Sequence, residues 1–201
     1  LGGVFVRVAV GGMPFLLPLL LQIGCGWSPL QAGSMMVAAA IGSLLLRPVA
    51  PSLIRKYGFR SILAGSTVAY ALVCFIPVVF RPDTPALLIM TMLLFYGVSG
   101  AITFTALNTI AYAETPPEAA SRATTLYAVV QQLALSFGVT VVALLLQLAR
   151  LGNHGRLTAN LFILPLAAVT LIALAAVPFF LKLGKDAGDS ISGRRHTIES
   201  E

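Results

Sequence analysis

The sequence predicts an all-α membrane protein with six transmembrane helices, and three observations support this fold class. The chain has 201 residues, of which 58% are hydrophobic and only 10% are charged, whereas a soluble domain carries about 25% charged residues. Its mean hydropathy is +0.93. The charged residues are confined to short segments that separate long charge-free runs. We therefore expect most of this chain to be surrounded by lipid and protein rather than by water.

The charge-free runs predict where each helix begins and ends. The run between Arg7 and Arg47 is long enough for two helices, because glycines, Ser28 and Pro29 interrupt it at "GCGWSPLQAG". Each later run supplies one helix, since a membrane span needs roughly 20 apolar residues. The predicted membrane domain covers residues 1–181, and a flexible cytoplasmic tail follows over 182–201. The predicted spans lie near residues 5–25, 30–53, 61–80, 86–112, 121–148 and 157–181.

The distribution of basic residues predicts the orientation of these spans. The segment "IRKYGFR" (54–60) is predicted to be a tight turn between the second and third spans, and it carries three basic residues. An even number of spans places both termini on one side, and that side would hold Arg7, Arg47, Arg55, Lys56, Arg60, Arg122, Lys182, Lys185, Arg194 and Arg195. The other side would hold only Arg81, Arg150 and Arg156. Basic loops stay in the cytoplasm, so we expect both termini there, and the net charge of +6 does not indicate a nucleic-acid partner.

The enzyme classes that could use such helices are not supported by the sequence. Ser99 lies in a G-x-S-G pattern, but an intramembrane serine protease needs a histidine base beside its serine. The two histidines, His154 and His196, both fall outside the spans. The sequence also lacks a metal-binding cluster and a glycine-rich phosphate loop. We expect no catalytic residue, no metal and no cofactor, and we interpret Gly97 and Ala101 as a close helix–helix contact.

Polar residues inside the spans are the best candidates for function, because they are costly in lipid. In the fifth span they form two stripes at helical spacing. One stripe, read as a hydrogen-bonding wall, contains Thr125, Gln132, Ser136 and Thr140. The other, read as a helix-packing face, contains Thr124, Tyr127, Gln131 and Gly138, with Ala134 nearby. The glutamines either bond neighbouring helices or, in the case of Gln132, face a water-filled cavity.

The first and fourth spans show comparable features. "VAVGGMPFLLPLLLQ" in the first span contains two glycines and two prolines, and proline removes a backbone donor. Interrupted helices of this kind border a cavity or pack within protein. Phe15 and Gln22 share one face of this span. In the fourth span Phe104 and Asn108 share a face, and Asn108 must find polar partners or line a cavity.

Three segments of the chain resemble the major facilitator superfamily. "LPLLLQIGCGWSPLQAGSMM" and "QQLALSFGVTV" are similar to the carboxy-terminal six-helix half of its fourteen-span drug–proton antiporters, which include bacterial multidrug efflux pumps. "SLIRKYGFRS" resembles the cytoplasmic loop motif of the superfamily, with Arg55, Lys56, Gly58 and Arg60 as its candidate residues. Gly58 and Arg60 match the motif, whereas Arg55 stands at its acidic position.

The resemblance implies half of a major facilitator fold, built from two inverted three-helix repeats, in a bacterial inner membrane. It also implies proton-coupled efflux of a hydrophobic small molecule, with the proton gradient as the energy source. The acidic residues Asp83, Glu114, Glu118, Asp186, Asp189, Glu199 and Glu201 all lie in loops or in the tail. We therefore expect the missing amino-terminal half to supply the proton-binding carboxylates. This half would line the substrate cavity with Phe15, Gln22, Phe104, Asn108 and Gln132.

Several alternatives remain open at this stage. The chain could belong to a sugar or metabolite carrier of the same superfamily, to a six-span channel or carrier that dimerises, or to a scaffold that transports nothing. It does not begin with Met, and we interpret it as a fragment whose isolated form would tend to self-associate. We further expect buried, inert thiols at Cys25 and Cys74, and an ion pair between Glu114 and Arg122.

Overall fold

The computed structural model of the protein describes residues 2–113, 120–152 and 158–183. Within these ranges the chain is helical and contains no strand. The helices are α1 (Gly2–Ile23), α2 (Pro29–Leu46), α3 (Ala50–Tyr57), α4 (Phe59–Phe75), α5 (Ala86–Ala113), α6 (Ala120–Gly152) and α7 (Ile163–Leu181). Short 3₁₀ segments, Ile76–Val79 and Ala159–Phe162, extend α4 and precede α7.

Six of these elements are long and apolar enough to cross a membrane, and the predicted all-α fold class is confirmed. They are Gly2–Ile23, Pro29–Leu46, Phe59–Val79, Ala86–Ala111, Thr124–Leu151 and Ala159–Leu181. The tail beyond Leu183 and the residue Glu114, for which an ion pair with Arg122 is expected, lie outside the described residues.

The turn between α1 and α2 lies where the sequence predicts an interruption of the apolar run. Gly26 has a φ of 72°, and Ser28 caps the following helix. The Ser28 backbone N–H donates to Gln31 Oε1 at 2.9 Å, and the Gln31 N–H donates to Ser28 Oγ at 3.3 Å. This reciprocal capping, together with Pro29 at the first helical position, starts α2.

The structure differs from the sequence-based expectation around "IRKYGFR". The expected second span reaches residue 53, whereas α2 ends at Leu46 and a separate helix, α3, follows. Arg55 and Lys56 occupy the last turn of α3, where cations interact favourably with the helix dipole. The tight turn is therefore reduced to Gly58, whose φ of 79° and ψ of 155° lie in a region open to glycine. α3 buries Ala50 and Ile54 against the bundle and exposes its basic residues.

The prolines of α1 do not break it. The helix runs without interruption through Pro14 and Pro18, with Pro14 exposed and Pro18 half-buried. The opposite side of α1 is the most deeply buried surface of the molecule, because Leu16, Leu17 and Leu20 are almost completely inaccessible. α1 therefore has one face in the core and a proline-bearing face outside it.

Helices α2 and α5 form the first of two extensive seams. A Cβ placed on Gly97 of α5 would overlap the backbone carbonyl of Ala39 in α2. Similarly, a Cβ on Gly42 of α2 would overlap the backbone carbonyl of Leu94 in α5. Small residues at such positions let two backbones approach closely. The predicted close helix–helix contact of Gly97 is confirmed.

Helices α1 and α6 form the second seam in the same manner. A Cβ on Gly11 of α1 would overlap Leu135 of α6, and one on Gly138 of α6 would overlap the carbonyl of Val8 in α1. Ala134 is also buried here. The predicted packing face of the fifth span, formed by Ala134 and Gly138, is therefore confirmed.

The two seams are equivalent under an inverted repeat. If α1, α2 and α4 correspond in order to α5, α6 and α7, the α2–α5 seam maps onto the α1–α6 seam. The α1–α7 contact maps onto the α4–α5 contact, and α4–α7 maps onto itself. These five pairings are the most extensive ones in the described structure. The arrangement agrees with a half of a major facilitator fold built from two three-helix units.

Candidate functional site

The five residues proposed from sequence to line a cavity lie on three helices and in four separate environments. Phe15 is 41% exposed on α1, and Gln22 is half-buried two turns further along the helix. Gln132 is exposed on α6. Phe104 and Asn108 are half-buried on α5, but they border different features, which are described in turn below.

Phe104 lines a cavity of about 370 Å³ between α1, α2, α4 and α5, which we call the tyrosine pocket. Its deepest side chain is Tyr70, which is 1% exposed and packs against Tyr96 with ring centroids 5.5 Å apart. Its rim carries the half-buried Thr105 and the exposed Arg47. The remaining wall consists largely of small residues: Ala39, Ala40, Gly97, Gly100 and Ala101.

Asn108 belongs to a polar cluster that joins three helices. Its Oδ1 accepts hydrogen bonds from Arg7 Nη2 of α1, at 3.3 Å, and from the Tyr127 hydroxyl of α6, at 3.1 Å. Arg7 also donates to Tyr127, and its guanidinium lies 4.7 Å from the Tyr127 ring centroid. A third Arg7 bond, from Nη1, reaches the Gly3 carbonyl at 3.0 Å. The amide oxygen of Asn108 thus holds α1, α5 and α6 together near the end of the bundle that carries Gly2.

The same cluster borders a second cavity, of about 450 Å³, which we call the arginine cavity. Arg7 is only 4% exposed, although the sequence predicted for it only a place among the basic residues of the cytoplasmic side. Its side chain is instead part of the wall, together with Tyr127 and Gln131. The reason is energetic, because a charged group inside a bundle must be hydrogen-bonded there. An arginine within a predicted span was the sequence signal for this arrangement.

The first polar stripe of the fifth span is exposed on the surface of the described bundle. Thr125, Gln132, Ser136 and Thr140 all lie on the outside of α6. Thr140 donates to the Ser136 carbonyl at 3.1 Å. α6 and α2 are the least buried spans, with 17% of the apolar window of each buried. Since an amide such as that of Gln132 is costly in hydrocarbon, this stripe is suited to water or to a protein partner.

The candidate residues of the cytoplasmic loop motif lie on two different helices. Arg55 and Lys56 are exposed on α3, and Lys56 lies 5.3 Å from the Tyr57 ring. Arg60 is half-buried in the first turn of α4, beyond Gly58. These positions do not identify a gating charge pair, and the motif assignment stays a prediction.

Both cysteines are buried, as predicted. Cys25, in the turn after α1, is 5% exposed. Burial raises the pKa of the Cys25 thiol, and the nearby Arg81 partly opposes this by lowering that pKa. A raised pKa reduces the thiolate fraction at neutral pH, which makes this thiol a poor nucleophile. Among the described residues, no group of three or more His, Cys, Asp or Glu side chains could hold a metal ion.

Comparison with known proteins identifies the family. The model of the Major Facilitator Superfamily matches residues 1–139. A protein named for multidrug resistance, MdtD, from Pectobacterium atrosepticum is 32% identical over 182 residues, which cover 89% of this chain and 39% of that protein. Its namesake from Klebsiella pneumoniae is 32% identical over 201 residues, covering 97% of this chain and 42% of that protein.

A third MdtD, from Cronobacter sakazakii, is 34% identical over 145 residues, covering 72% of this chain and 31% of that protein. This chain spans about two fifths or less of the length of these curated relatives. No solved structure matches the chain significantly. The chain therefore belongs to the major facilitator superfamily, a family of membrane transporters and not of enzymes.

Proposed function

We propose that this chain is the carboxy-terminal six-span half of a proton-coupled multidrug efflux transporter, and that it lines one side of the substrate cavity. The observation that carries this proposal is the exposed polar stripe of α6, which contains Gln132. A hydrogen-bonding stripe on a span that is mostly exposed is costly against lipid and favourable beside a water-filled cavity. The names of the relatives, which refer to multidrug resistance, support the substrate class.

The amino-terminal half of the same transporter is the partner that this proposal requires. The relatives are more than twice as long as the matched region, which leaves room for a second bundle. No acidic residue of the sequence falls within the described helices α1 to α7. A proton-coupled carrier needs a group that titrates within the membrane, so the other half would supply it. Substrate would cross as the two halves rock about the cavity between them.

The proposed orientation places both termini in the cytoplasm of a bacterial inner membrane. The basic residues of α3, which lie at the same end of the bundle as Gly2, support it through the preference of basic segments for the cytoplasmic side. Reporter fusions at Tyr57 and at Asp83 test this assignment. We expect cytoplasmic activity at Tyr57 and periplasmic activity at Asp83, and the reverse pattern would refute the orientation.

Substitution of Gln132 in the full-length transporter that contains this chain tests the cavity. In cells without other major efflux pumps, we expect Gln132→Ala to slow the protonophore-sensitive efflux of hydrophobic dyes by about 2–10-fold. This is the factor that corresponds to the loss of one hydrogen bond of about 0.5–1.5 kcal/mol. The matched control is Leu133→Ala, which removes an adjacent side chain that is 65% exposed but lies off the stripe.

Efflux in the control should equal that of the parent protein at the same membrane abundance. Equal efflux by Gln132→Ala, Leu133→Ala and the parent would contradict the assignment of Gln132 to the cavity. Equal dye retention by cells with and without the parent protein would contradict the transport proposal as a whole.

A further inference from the structure

The helix α3 is held at the membrane surface by the two spans that flank it. α2 has 18 residues and is therefore about 27 Å long, close to the roughly 30 Å thickness of the hydrocarbon core. The next span, Phe59–Val79, is long enough to cross the same thickness in the opposite direction. Residues 47–58 join the two spans and contain α3. This helix therefore lies at the depth of the lipid headgroups.

One face of α3 packs on the bundle, and the opposite face is polar. Ala50 and Ile54, four residues apart, are buried against the bundle. Ser52, Arg55 and Lys56 are all exposed. At the helical repeat these three residues fall within one arc of about 100°, centred opposite the buried pair. Ser52 lies three residues from Arg55 and four from Lys56, which places its Cβ about 5–6 Å from theirs. We call these three residues the α3 basic face.

The described charges at this end of the bundle are all positive. Arg47 and Lys182 are exposed beyond the ends of α2 and α7, and Arg60 is half-buried in the first turn of α4. Asp83, the single acidic residue in the described ranges, lies between α4 and α5 at the other end of the bundle. Arg55 therefore has no described carboxylate as a partner, and an anion is favoured beside it.

The chemistry of the α3 basic face matches a phosphodiester at a membrane surface. A guanidinium forms bidentate, charge-assisted hydrogen bonds to phosphate, an ammonium adds a point charge, and a serine hydroxyl donates one further bond. Tyr57, which is 52% exposed, lies beside this face with its ring 5.3 Å from Lys56 Nζ. Tyrosine is enriched at the membrane–water interface. The geometry thus combines phosphate donors with an interfacial aromatic ring.

Apolar surface for acyl chains is present just before α3. Leu44 and Leu45, in the last turn of α2, are 63% and 59% exposed. A soluble phosphate would gain nothing from such side chains, whereas a lipid keeps its acyl chains against them while its headgroup reaches the segment that follows. A headgroup that carries an ammonium would meet the like charge of Arg55, so a headgroup with net negative charge is preferred.

We propose that the α3 basic face binds the phosphate of an anionic phospholipid. Arg55 forms a bidentate pair with the phosphate, Lys56 adds a second positive charge, and the Ser52 hydroxyl donates to a phosphate oxygen. The acyl chains lie against the spans, beginning at the exposed leucines of α2. The inference goes beyond the proposed function, because it requires only that the chain lies in a membrane and not that it exports any molecule.

Photolabelling of the full-length transporter that contains this chain, reconstituted in phosphatidylcholine nanodiscs, tests the headgroup preference. The probes are phosphatidylglycerol and phosphatidylethanolamine, each with a diazirine near the headgroup. The readout is the label on residues 50–60, mapped by mass spectrometry, as a function of the mole fraction of the probe. We expect phosphatidylglycerol to reach half-maximal labelling at an at least about tenfold lower mole fraction than phosphatidylethanolamine, as two basic residues at the surface predict.

Removal of the two charges separates the α3 basic face from the general charge of this end. Arg55→Gln combined with Lys56→Gln should raise the half-maximal mole fraction of phosphatidylglycerol by about 10–30-fold and abolish the preference. The matched control combines Arg47→Gln with Lys182→Gln, which removes the same charge from exposed positions outside this face. Labelling of the control should equal that of the parent protein.

Two further variants test the individual roles within the face. Ser52→Ala removes one hydrogen bond and should raise the half-maximal mole fraction of phosphatidylglycerol by about 2–10-fold. Arg55→Lys combined with Lys56→Arg keeps both charges and should keep the preference over phosphatidylethanolamine. All substituted side chains are exposed, so thermal unfolding of every variant should match that of the parent.

Three outcomes would overturn the lipid site. Equal half-maximal labelling by the two lipids in the parent would mean that these charges select no headgroup. An equal loss in the control with Arg47 and Lys182 replaced would mean that the overall charge of this end, and not the α3 basic face, attracts the lipid. Suppression of the labelling by excess inorganic phosphate would identify a soluble anion as the occupant. Dye efflux by the parent is measured separately, so each outcome leaves the transport proposal standing.

Discussion

The α2–α5 seam and the α1–α6 seam have the same backbone geometry and different chemical surroundings. Each places a glycine from both helices against the backbone of the opposite helix. The α2–α5 seam borders the tyrosine pocket, which is largely apolar and aromatic. The α1–α6 seam is flanked by the polar cluster of Arg7, Asn108 and Tyr127 and by the exposed polar stripe of α6. The difference shows that the repeat preserves close helix approach while the side chains beside it differ in polarity.

Substitution of one glycine in each seam should produce the largest effect. Gly97→Ala and Gly138→Ala each place a Cβ on a backbone carbonyl that cannot move without shifting a helix. We expect each to lower the free energy of unfolding by about 1–3 kcal/mol or more, measured on the full-length protein in detergent. Gly65→Ala is the control, because its Cβ meets nothing within 4 Å. If only one of the two variants lowers the free energy of unfolding, the two seams are not equivalent.

Loss of the Asn108 amide should have the next largest effect, confined to the α1–α6 side. Asn108→Ala removes an acceptor that both Arg7 and Tyr127 use. We expect a loss of about 1–3 kcal/mol of unfolding free energy, because buried donors then lose part of their bonding. The control is Asn160→Ala, at an exposed position before α7. If both variants unfold like the parent, the cluster does not hold the helices together.

The smallest effect is expected at a contact that differs chemically between the two repeats. The α4–α5 contact contains a hydrogen bond between the Thr103 and Ser66 hydroxyls at 2.9 Å, whereas the equivalent α1–α7 contact contains stacked Phe5 and Phe179 rings. Thr103→Val should cost about 0.6 kcal/mol, the usual value of such a bond within a membrane. The control Thr91→Val loses a bond within its own helix. A cost above about 2 kcal/mol, beyond the range measured for such bonds, would indicate that this bond, and not apolar packing, dominates the contact.

The sequence predicted well those features that depend on a helical repeat and on charge. Ala134 and Gly138 could be assigned to a packing face, and Gln132 to a different stripe, because residues of one face recur at helical spacing. The structure places Ala134 and Gly138 in the α1–α6 seam and Gln132 on the outside of α6. By contrast, Arg7 was only counted among the basic residues of the cytoplasmic side, since pattern reasoning cannot see that Asn108 and Tyr127 lie within reach of its guanidinium.

The separate helix α3 was missed for a related reason. Its residues continue the apolar pattern of α2 up to Ile54, and only Arg47, Pro48 and Pro51 mark the boundary. The glycines at 11 and 42 were likewise visible in the sequence, but their partners, Leu135 and Leu94, lie far away along the chain. Which helix packs against Gly11 or Gly42 depends on how the spans are arranged in the folded bundle.

Thus the sequence by itself determined that the chain forms six apolar spans, because charged residues are costly in hydrocarbon and separate most of the spans, while glycines, Ser28 and Pro29 separate the first two. It also determined which side of each helix is small or polar, since that follows from helical geometry alone. Only the tertiary structure decided which helices form the two seams, where the tyrosine pocket opens, and that Arg7 is buried. These features arise from contacts between residues far apart in the chain, which local composition and spacing do not specify.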